Sequence, residues 1–339
     1  MNERYSRQQL FAPIGESGQI SISSKHVLMV GAGALGAGSA EALVRAGVGK
    51  LTIADRDYVE WSNLQRQQLY TERDASERLP KAAAAKRHLR KINSEVEIDA
   101  LIMDVGPNDI LSLVKDVDLI IDATDNFDTR LMINDVSFQN EIPWIYGGCA
   151  GSYGITHTFI PGVTPCLNCM METIPSQSMT CDTTGIISPA VSMVVSYQVS
   201  EALKVLTGNF NAVRQTLTSF DVWKNEHSSV NVRTLKKPDC PSCGEKPRYP
   251  YLQYENQLKS AVLCGRDAVQ IRPARPGEVD LDRLAVQMGH LMERVERNPY
   301  LIACKTGKHR IVLFRDGRAL IHGTKDIMEA KSLYHRYFS

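Results

Sequence analysis

The chain has 339 residues, 43% of them hydrophobic, enough to bury one large core and a smaller second unit. Lys and Arg total 39 against 38 for Asp and Glu. No global basic surface therefore supplies the sequence-independent phosphate attraction of nucleic-acid binders, and a general DNA or RNA partner is disfavoured.

The polar start, Met1 to Gln9, has no apolar stretch behind it. No run approaches the roughly 18 apolar residues of a membrane span, which predicts a cytoplasmic protein with no membrane partner. Residues 26–30, His-Val-Leu-Met-Val, lead straight into Gly31-Ala-Gly-Ala-Leu-Gly36 and a helical pattern through Ala46, predicting strand, glycine turn and helix. A second strand over 50–54 ends in Asp55, where a dinucleotide-binding fold places the acid that accepts hydrogen bonds from ribose hydroxyls. Gly31, Gly33 and Gly36 let the backbone approach phosphate at a helix N-terminus, where free N–H groups and the dipole favour an anion. This pattern serves NAD, FAD, S-adenosylmethionine or ATP alike, so it locates a nucleotide without naming a reaction.

Cations follow where a redox enzyme would proceed to its next βα unit. The chain reads Ser62-Asn-Leu-Gln-Arg-Gln67, and Lys81 opens an Ala-rich helix over 81–92. Arg66, Lys81 and Arg7 are candidates to converge on a triphosphate, because displacement at phosphorus needs positive groups on the oxygens that gain charge and nicotinamide chemistry does not. A strand over 117–123 ends in Thr124-Asp-Asn126, putting Asp125 at the carboxyl edge of a parallel sheet as a candidate magnesium ligand, with a helix cap as its bland alternative.

Eight cysteines are too sparse for a disulfide scaffold. Four of them form Cys166-Leu-Asn-Cys169 and Cys240-Pro-Ser-Cys243, each in a tight turn. Four thiolates so arranged make a closed tetrahedral zinc site, structural and without an open catalytic position. A thioredoxin-like redox pair is disfavoured because neither pair is expected to open a helix after a strand. Cys181 lies in a polar loop ahead of a long apolar helix over 189–206, and Cys149 is expected to pack against the sheet. From Arg248 onward the pattern changes to a small α+β unit. It comprises a strand over 268–272, a helix over 280–295, a strand over 299–304, a hairpin turning at Asp316-Gly317 and a helix over 325–337. Two domains are expected, 1–247 and 248–339. The fold class is α/β: a Rossmann-like, mostly parallel sheet extended by antiparallel strands, with a structural zinc site and a small α+β tail.

Over about Arg4 to Gly244 the sequence resembles the ThiF/MoeB/HesA adenylyltransferases, bacterial relatives of the ubiquitin-activating enzymes. The matching segments are Arg4-Tyr-Ser-Arg-Gln8, Gly31 to Gly36, Asp55 with Asp57, Ser62 to Gln67, Lys81, Ala123 to Asn126 with Arg130, and the two cysteine pairs. The resemblance implies that Asp55 holds the ribose and that Asn63, Arg66 and Lys81 hold the phosphates. Asp125 then sits by magnesium, flanked by Asn126 and Arg130 in the nucleotide site, and Arg7 reaches the ATP of the opposite subunit in a homodimer. The implied activity is ATP-dependent adenylation of the C-terminal Gly-Gly of a ubiquitin-like sulfur-carrier protein, prior to thiocarboxylate formation with sulfur from a cysteine desulfurase or a sulfurtransferase. Cys181 matches a loop cysteine that is covalently engaged in some relatives and dispensable in others, and both readings stay open. The resemblance covers a MoaD-like carrier for molybdopterin synthesis and a ThiS-like carrier for thiamine-thiazole synthesis, with a slight lean to the MoeB-like side. A sulfurtransferase loop at Cys304 is discounted, because Ile311 to Phe314 reads as a strand. Rival readings are an NAD-dependent oxidoreductase, which leaves Arg66, Lys81 and the cysteine pairs unexplained, a tRNA-directed adenylating relative, and a non-catalytic ATP-binding assembly protein.

Overall fold

The computed structural model describes residues 3–171, 184–253, 260–262, 267–272 and 277–338. They divide into two compact units, 1–256 and 257–339.

The first unit is built on an eight-stranded sheet in the order β3-β2-β1-β4-β5-β6-β7-β8. Its strands are β1 (His26–Val30), β2 (Lys50–Asp55), β3 (Glu97–Ile102), β4 (Leu119–Asp122), β5 (Trp144–Ala150), β6 (Tyr153–Phe159), β7 (Thr216–Asp221) and β8 (Glu226–Asn231). The first five pair in parallel and the last three are added antiparallel. The central parallel strands β1, β2 and β4 are largely apolar on both faces, as burial under helices on both sides requires. Val27, Met29, Leu51 and Ile53 pack with the helices Ala34–Ala46, Lys81–Ile92 and Ser188–Leu206, while Leu28, Val30, Ile120 and Trp144 pack with Pro107–Leu113 and Phe127–Gln139. Because β1 lies between β2 and β4, the chain reverses its winding there, and a crevice opens beyond the carboxyl ends of β1 and β4.

His157 on β6 is fully buried, with Nδ1 3.1 Å from the Thr216 carbonyl, and burial pushes its imidazole down to about 4. A chain that unfolds gains a proton on this ring anywhere between about pH 4 and its ordinary value near 6.5, so the stability of burying it neutral is present above that window and lost as pH falls through it. Urea unfolding at pH 7 and pH 5 should therefore differ by about 2 kcal/mol more in the parent than in His157→Gln. Equal pH dependence would show that the ring is charged or solvated in the folded chain.

The second unit is a six-stranded antiparallel sheet in the order β11-β12-β13-β14-β10-β9. Its strands are β9 (Ser260–Val262), β10 (Ala268–Ile271), β11 (Arg294–Arg297), β12 (Leu301–Thr306), β13 (His309–Phe314) and β14 (Ala319–His322). The helices Leu281–Gly289 and Ile327–Phe338 pack on one face through Leu281, Met288, Ala330 and Leu333. The expected helix over 280–295 is too long. It ends at Gly289, and Arg294–Arg297 is instead β11, paired with β12 and turning Val295 toward the core. Period-2 alternation over these few residues was masked by the amphipathic helix before them.

Candidate functional site

The crevice at the ends of β1 and β4 is shaped by backbone. Gly31 has φ +96, and a Cβ there would lie 2.5 Å from the Ala123 carbonyl oxygen at the end of β4. A Cβ on Gly36 would lie 2.0 Å from the Gly31 carbonyl oxygen. These two glycines are therefore required by the fold itself, one for its left-handed conformation and both for close packing. Gly33 differs. It stands at the N-cap of the Ala34–Ala46 helix without a side-chain cap, and among the described residues, chain neighbours and the helix's own backbone apart, the one heavy atom within 4 Å of a Cβ built on it is Gln67 Nε2, at 3.9 Å. The helix thus presents uncapped N–H groups to an open volume, the arrangement that favours an anion.

Asp55 braces this loop. Its Oδ2 accepts the Ala32 N–H at 2.6 Å and its Oδ1 accepts the Asp57 N–H at 2.6 Å. Each oxygen keeps a second lone pair for a further donor such as a hydroxyl. Burial pushes its carboxyl above the ordinary range, with neighbouring Lys81 opposing and Asp57 adding to the rise. Lys81 is 3% exposed, and its Nζ lies 3.1 Å from Asp57 Oδ2. Backbone holds the same two residues together, since the Lys81 N–H donates to the Asp57 carbonyl at 2.9 Å and Tyr58 bridges to Pro80. The Tyr70 hydroxyl, 2.7 Å from the Ala32 carbonyl and 3.2 Å from that of Lys81, joins the glycine loop to the lysine segment. Gly33, Asp55 and Lys81 are thereby brought into one framework.

The other candidates occupy its surroundings. Asn63 is buried, and its Oδ1 accepts the Glu60 N–H at 3.1 Å, shaping the turn that presents Arg66. Arg66 itself donates from Nη1 to the Ser62 carbonyl at 2.8 Å. Asp125, at the end of β4, has a side chain 71% exposed and 3.7 Å from Arg56 Nη2. Asn126 caps the Phe127–Gln139 helix, its Oδ1 accepting the Thr129 N–H at 2.9 Å. The cap expected as the bland role of Asp125 thus belongs to its neighbour.

Arg130 is buried. Its Nε pairs with Asp122 Oδ2 at 3.0 Å, its Nη2 donates to the Thr124 and Gly147 carbonyls, and it stacks 5.0 Å from the Tyr146 ring centre. Its Nη1 is buried with no hydrogen-bond partner among the described residues. Arg7 is exposed on the short Ser6–Gln9 helix. That segment is anchored by Gln8, which donates to the Ala46 carbonyl at 3.0 Å, and by the Tyr5 hydroxyl, which accepts from Asn93 at 2.8 Å. Cys181 lies outside the described residues.

Four framework residues were not singled out in the sequence. Tyr70 and Arg56 carried no motif. Asp122 closes β4, and burial pushes its carboxyl above the ordinary range with Arg130 opposing the rise. Gln198 donates to the Asp122 carbonyl at 2.8 Å from the buried face of the Ser188–Leu206 helix. A charged residue closing an apolar strand was the available signal.

The four sulfurs of Cys166, Cys169, Cys240 and Cys243 lie within 4.8 Å of one another, with Cys166–Cys240 and Cys169–Cys243 each at 3.5 Å. A tetrahedral zinc site with Zn–S near 2.3 Å has sulfur–sulfur edges of about 3.8 Å, so the donor set fits that ion. Hydrogen bonding from Cys166 pushes the Cys243 thiol down to about 5, while the hydrogen bond with Cys243 and burial push Cys166 up and burial pushes Cys169 up. A Cβ on Gly244 would lie 2.4 Å from the Pro238 carbonyl oxygen, and its N–H closes the second turn onto Cys240 at 2.9 Å. Contrary to expectation, Cys166 does cap a one-turn helix, Leu167–Met170. The redox reading still fails, because these short contacts join opposite pairs.

The cluster secures the chain beside the crevice. Leu167 N–H donates to Asn134 and Tyr251 N–H to Asp135, both on the Phe127–Gln139 helix. Farther on, Gly151 bonds to Gly185 and Ile187, and Gln65 reaches the Ile186 carbonyl at 3.3 Å, so residues 184–188 run beside the Arg66 segment.

The ThiF family model matches residues 5–242. The chain is 56% identical over 337 residues to the sulfur carrier protein ThiS adenylyltransferase of Bacillus subtilis, covering 99% of both chains. It is 33% identical over 252 residues to the sulfur carrier protein adenylyltransferase of Thermus thermophilus, covering 72% of this chain and 92% of the relative. Among solved structures, E. coli MccB with ATP aligns with a TM-score of 0.63 at 22% identity, covering 72% of this chain and 74% of that one, a likeness of fold.

Proposed function

The chain belongs to the ThiF family, and from that premise we propose that the crevice at Gly33 uses ATP to adenylate the C-terminal glycine of a ubiquitin-like sulfur-carrier protein. The observation that carries this reading is the open, N–H-lined volume at Gly33 with Lys81 and Asp55 fixed beside it. The full-length likeness to a ThiS adenylyltransferase favours the thiamine branch over the initial lean toward molybdopterin synthesis.

In this mechanism the carrier carboxylate attacks the α-phosphorus, the bond from that phosphorus to the bridging oxygen breaks, and pyrophosphate leaves. An acyl-adenylate remains. The protein supplies alignment and charge. Gly33 and the helix N-terminus hold phosphate, Asp55 accepts from the ribose, and Lys81 and Arg66 neutralise oxygens that gain charge. Asp125 would hold magnesium, which draws off charge from the leaving pyrophosphate. The four cysteines would hold zinc as a structural clamp. Anchored by Tyr5 and Gln8, the N-terminal segment holds Arg7 outward, as an arginine serving a second subunit requires. ATP use and a thiol cluster both suit a cytoplasmic setting.

Sulfur then replaces the adenylate, supplied from outside the chain by a cysteine desulfurase or a sulfurtransferase. Cys304 sits within β12 opposite Ile311, and burial pushes its thiol up to about 11, which suppresses the thiolate that sulfur transfer needs. Thiocarboxylate formation with a complete sulfur donor should accordingly be unchanged within about twofold in Cys304→Ala. A loss of about a hundredfold or more would give the tail a catalytic thiol.

Carrier-dependent exchange of labelled pyrophosphate into ATP tests the reading. Exchange requires a carrier with an intact C-terminal Gly-Gly, and its absence with every such carrier would overturn the assignment.

A further inference from the structure

The geometry points to Gln67 as a further nucleotide-binding group: its side-chain amide donates to a phosphate oxygen of the ATP lying across Gly33. This inference rests on the ATP reading above. Gln67 is 3% exposed, and its Oε1 is buried with no hydrogen-bond partner among the described residues. Native interiors rarely leave a buried amide unsatisfied, so such a group needs an explanation.

Keeping the amide in this position turns its nitrogen toward the glycine loop. Among the described residues, chain neighbours and the helix's own backbone apart, Gln67 Nε2 is the one heavy atom within 4 Å of a Cβ built on Gly33, so it forms a wall of the volume into which the uncapped helix N-terminus opens. The position is not accidental slack. Gln67 N–H donates to the Asn63 carbonyl at 2.9 Å, Tyr70 N–H returns to the Gln67 carbonyl at 3.1 Å, and the Tyr70 hydroxyl reaches Ala32 within the glycine loop. The side chain is therefore held against the loop from both sides of its own backbone.

An amide has two N–H donors and no charge. Beside Lys81 and Arg66 it can bind a phosphate oxygen without adding repulsion among the cations. Apolar burial alone would be served better by Leu or Met, and a carboxylate would oppose the phosphate directly.

Titration calorimetry of Mg-ATP binding to the full chain, paired with thermal unfolding, tests this with Gln67→Met and Gln67→Glu. One hydrogen bond to a charged oxygen corresponds to about a tenfold to hundredfold weaker Kd in Gln67→Met, with Tm unchanged or raised because the buried unpartnered carbonyl is gone. Gln67→Glu should weaken binding further. Parental Kd in both variants would overturn the inference, as would a fall in Tm without a change in Kd, which marks a purely structural residue. A parent that binds ATP but does not exchange pyrophosphate would overturn the proposed reaction while leaving this test valid. A parent that binds no ATP would overturn both.

Discussion

Replacing Asp125 by alanine is expected to lower carrier-dependent pyrophosphate exchange by about 100-fold to 1,000-fold while moving Tm by no more than about 2 °C. The two halves of this result have separate causes. Asp125 is 71% exposed in its side chain, and its ion pair with Arg56 Nη2, at 3.7 Å, is long and solvated. Such pairs contribute about 0–1 kcal/mol, and Arg56 also has Asp104 at 3.5 Å. Folding therefore has little stake in the carboxylate. Its position at the carboxyl end of β4, across the crevice from the glycine loop, is where a metal-bound triphosphate would be met. Asn126 provides the helix cap, so removing the Asp125 carboxylate leaves that cap in place. Exchange retained at the parental rate in Asp125→Ala would favour a protein that binds ATP without using it.

Metal removal should produce the opposite pattern, a loss of stability that carries activity down with it. Structural zinc in small sites contributes on the order of 10 kcal/mol of apparent folding free energy, comparable to the whole stability of a domain. Here Leu167 between the first two cysteines donates to Asn134 and Phe138 packs against the cluster, so the four sulfurs sit against the Phe127–Gln139 helix that begins beside Asp125. Cys240→Ser, or prolonged chelation, should lower Tm by more than about 10 °C and release one zinc per chain. At a temperature where the variant stays folded, its exchange rate should remain within about tenfold of the parent, since the closed site has no open coordination position for chemistry. Zinc loss that abolished exchange in a chain of unchanged Tm would contradict the structural role.

The contrast between these two predictions reflects what each residue type discloses in a sequence. Glycines at 31, 33 and 36 were legible as the turn between a strand and a helix, but the sequence could not separate the two that the backbone requires from Gly33, which alone of the three leaves open space. The cysteine pairs were legible because metal-ligand spacing is local. Their effect on the crevice was not, because it runs through Asn134 and Asp135, two polar positions inside a helix with no motif. Asp55 was placed correctly at the end of β2, yet its bracing of the loop depends on backbone donors that no residue pattern reveals. Arg130, expected among the nucleotide ligands, has most of its donors committed to Asp122, Thr124 and Gly147. Contacts of that kind join residues through the fold, and side-chain identity alone does not encode them. In the tail, β11 was hidden for a simpler reason: a four-residue strand carries too few periods to stand out beside a helix.

Transfer of an adenylyl group from ATP to a carrier's terminal carboxylate is read out by intact-mass spectrometry of a ThiS-like carrier incubated with the chain and Mg-ATP in the absence of a sulfur donor. The expected product is a carrier heavier by one adenylyl group, located at the C-terminal glycine and removed by hydroxylamine. A carrier of unchanged mass, in a reaction where the chain consumes ATP and modifies another substrate such as tRNA, would contradict it.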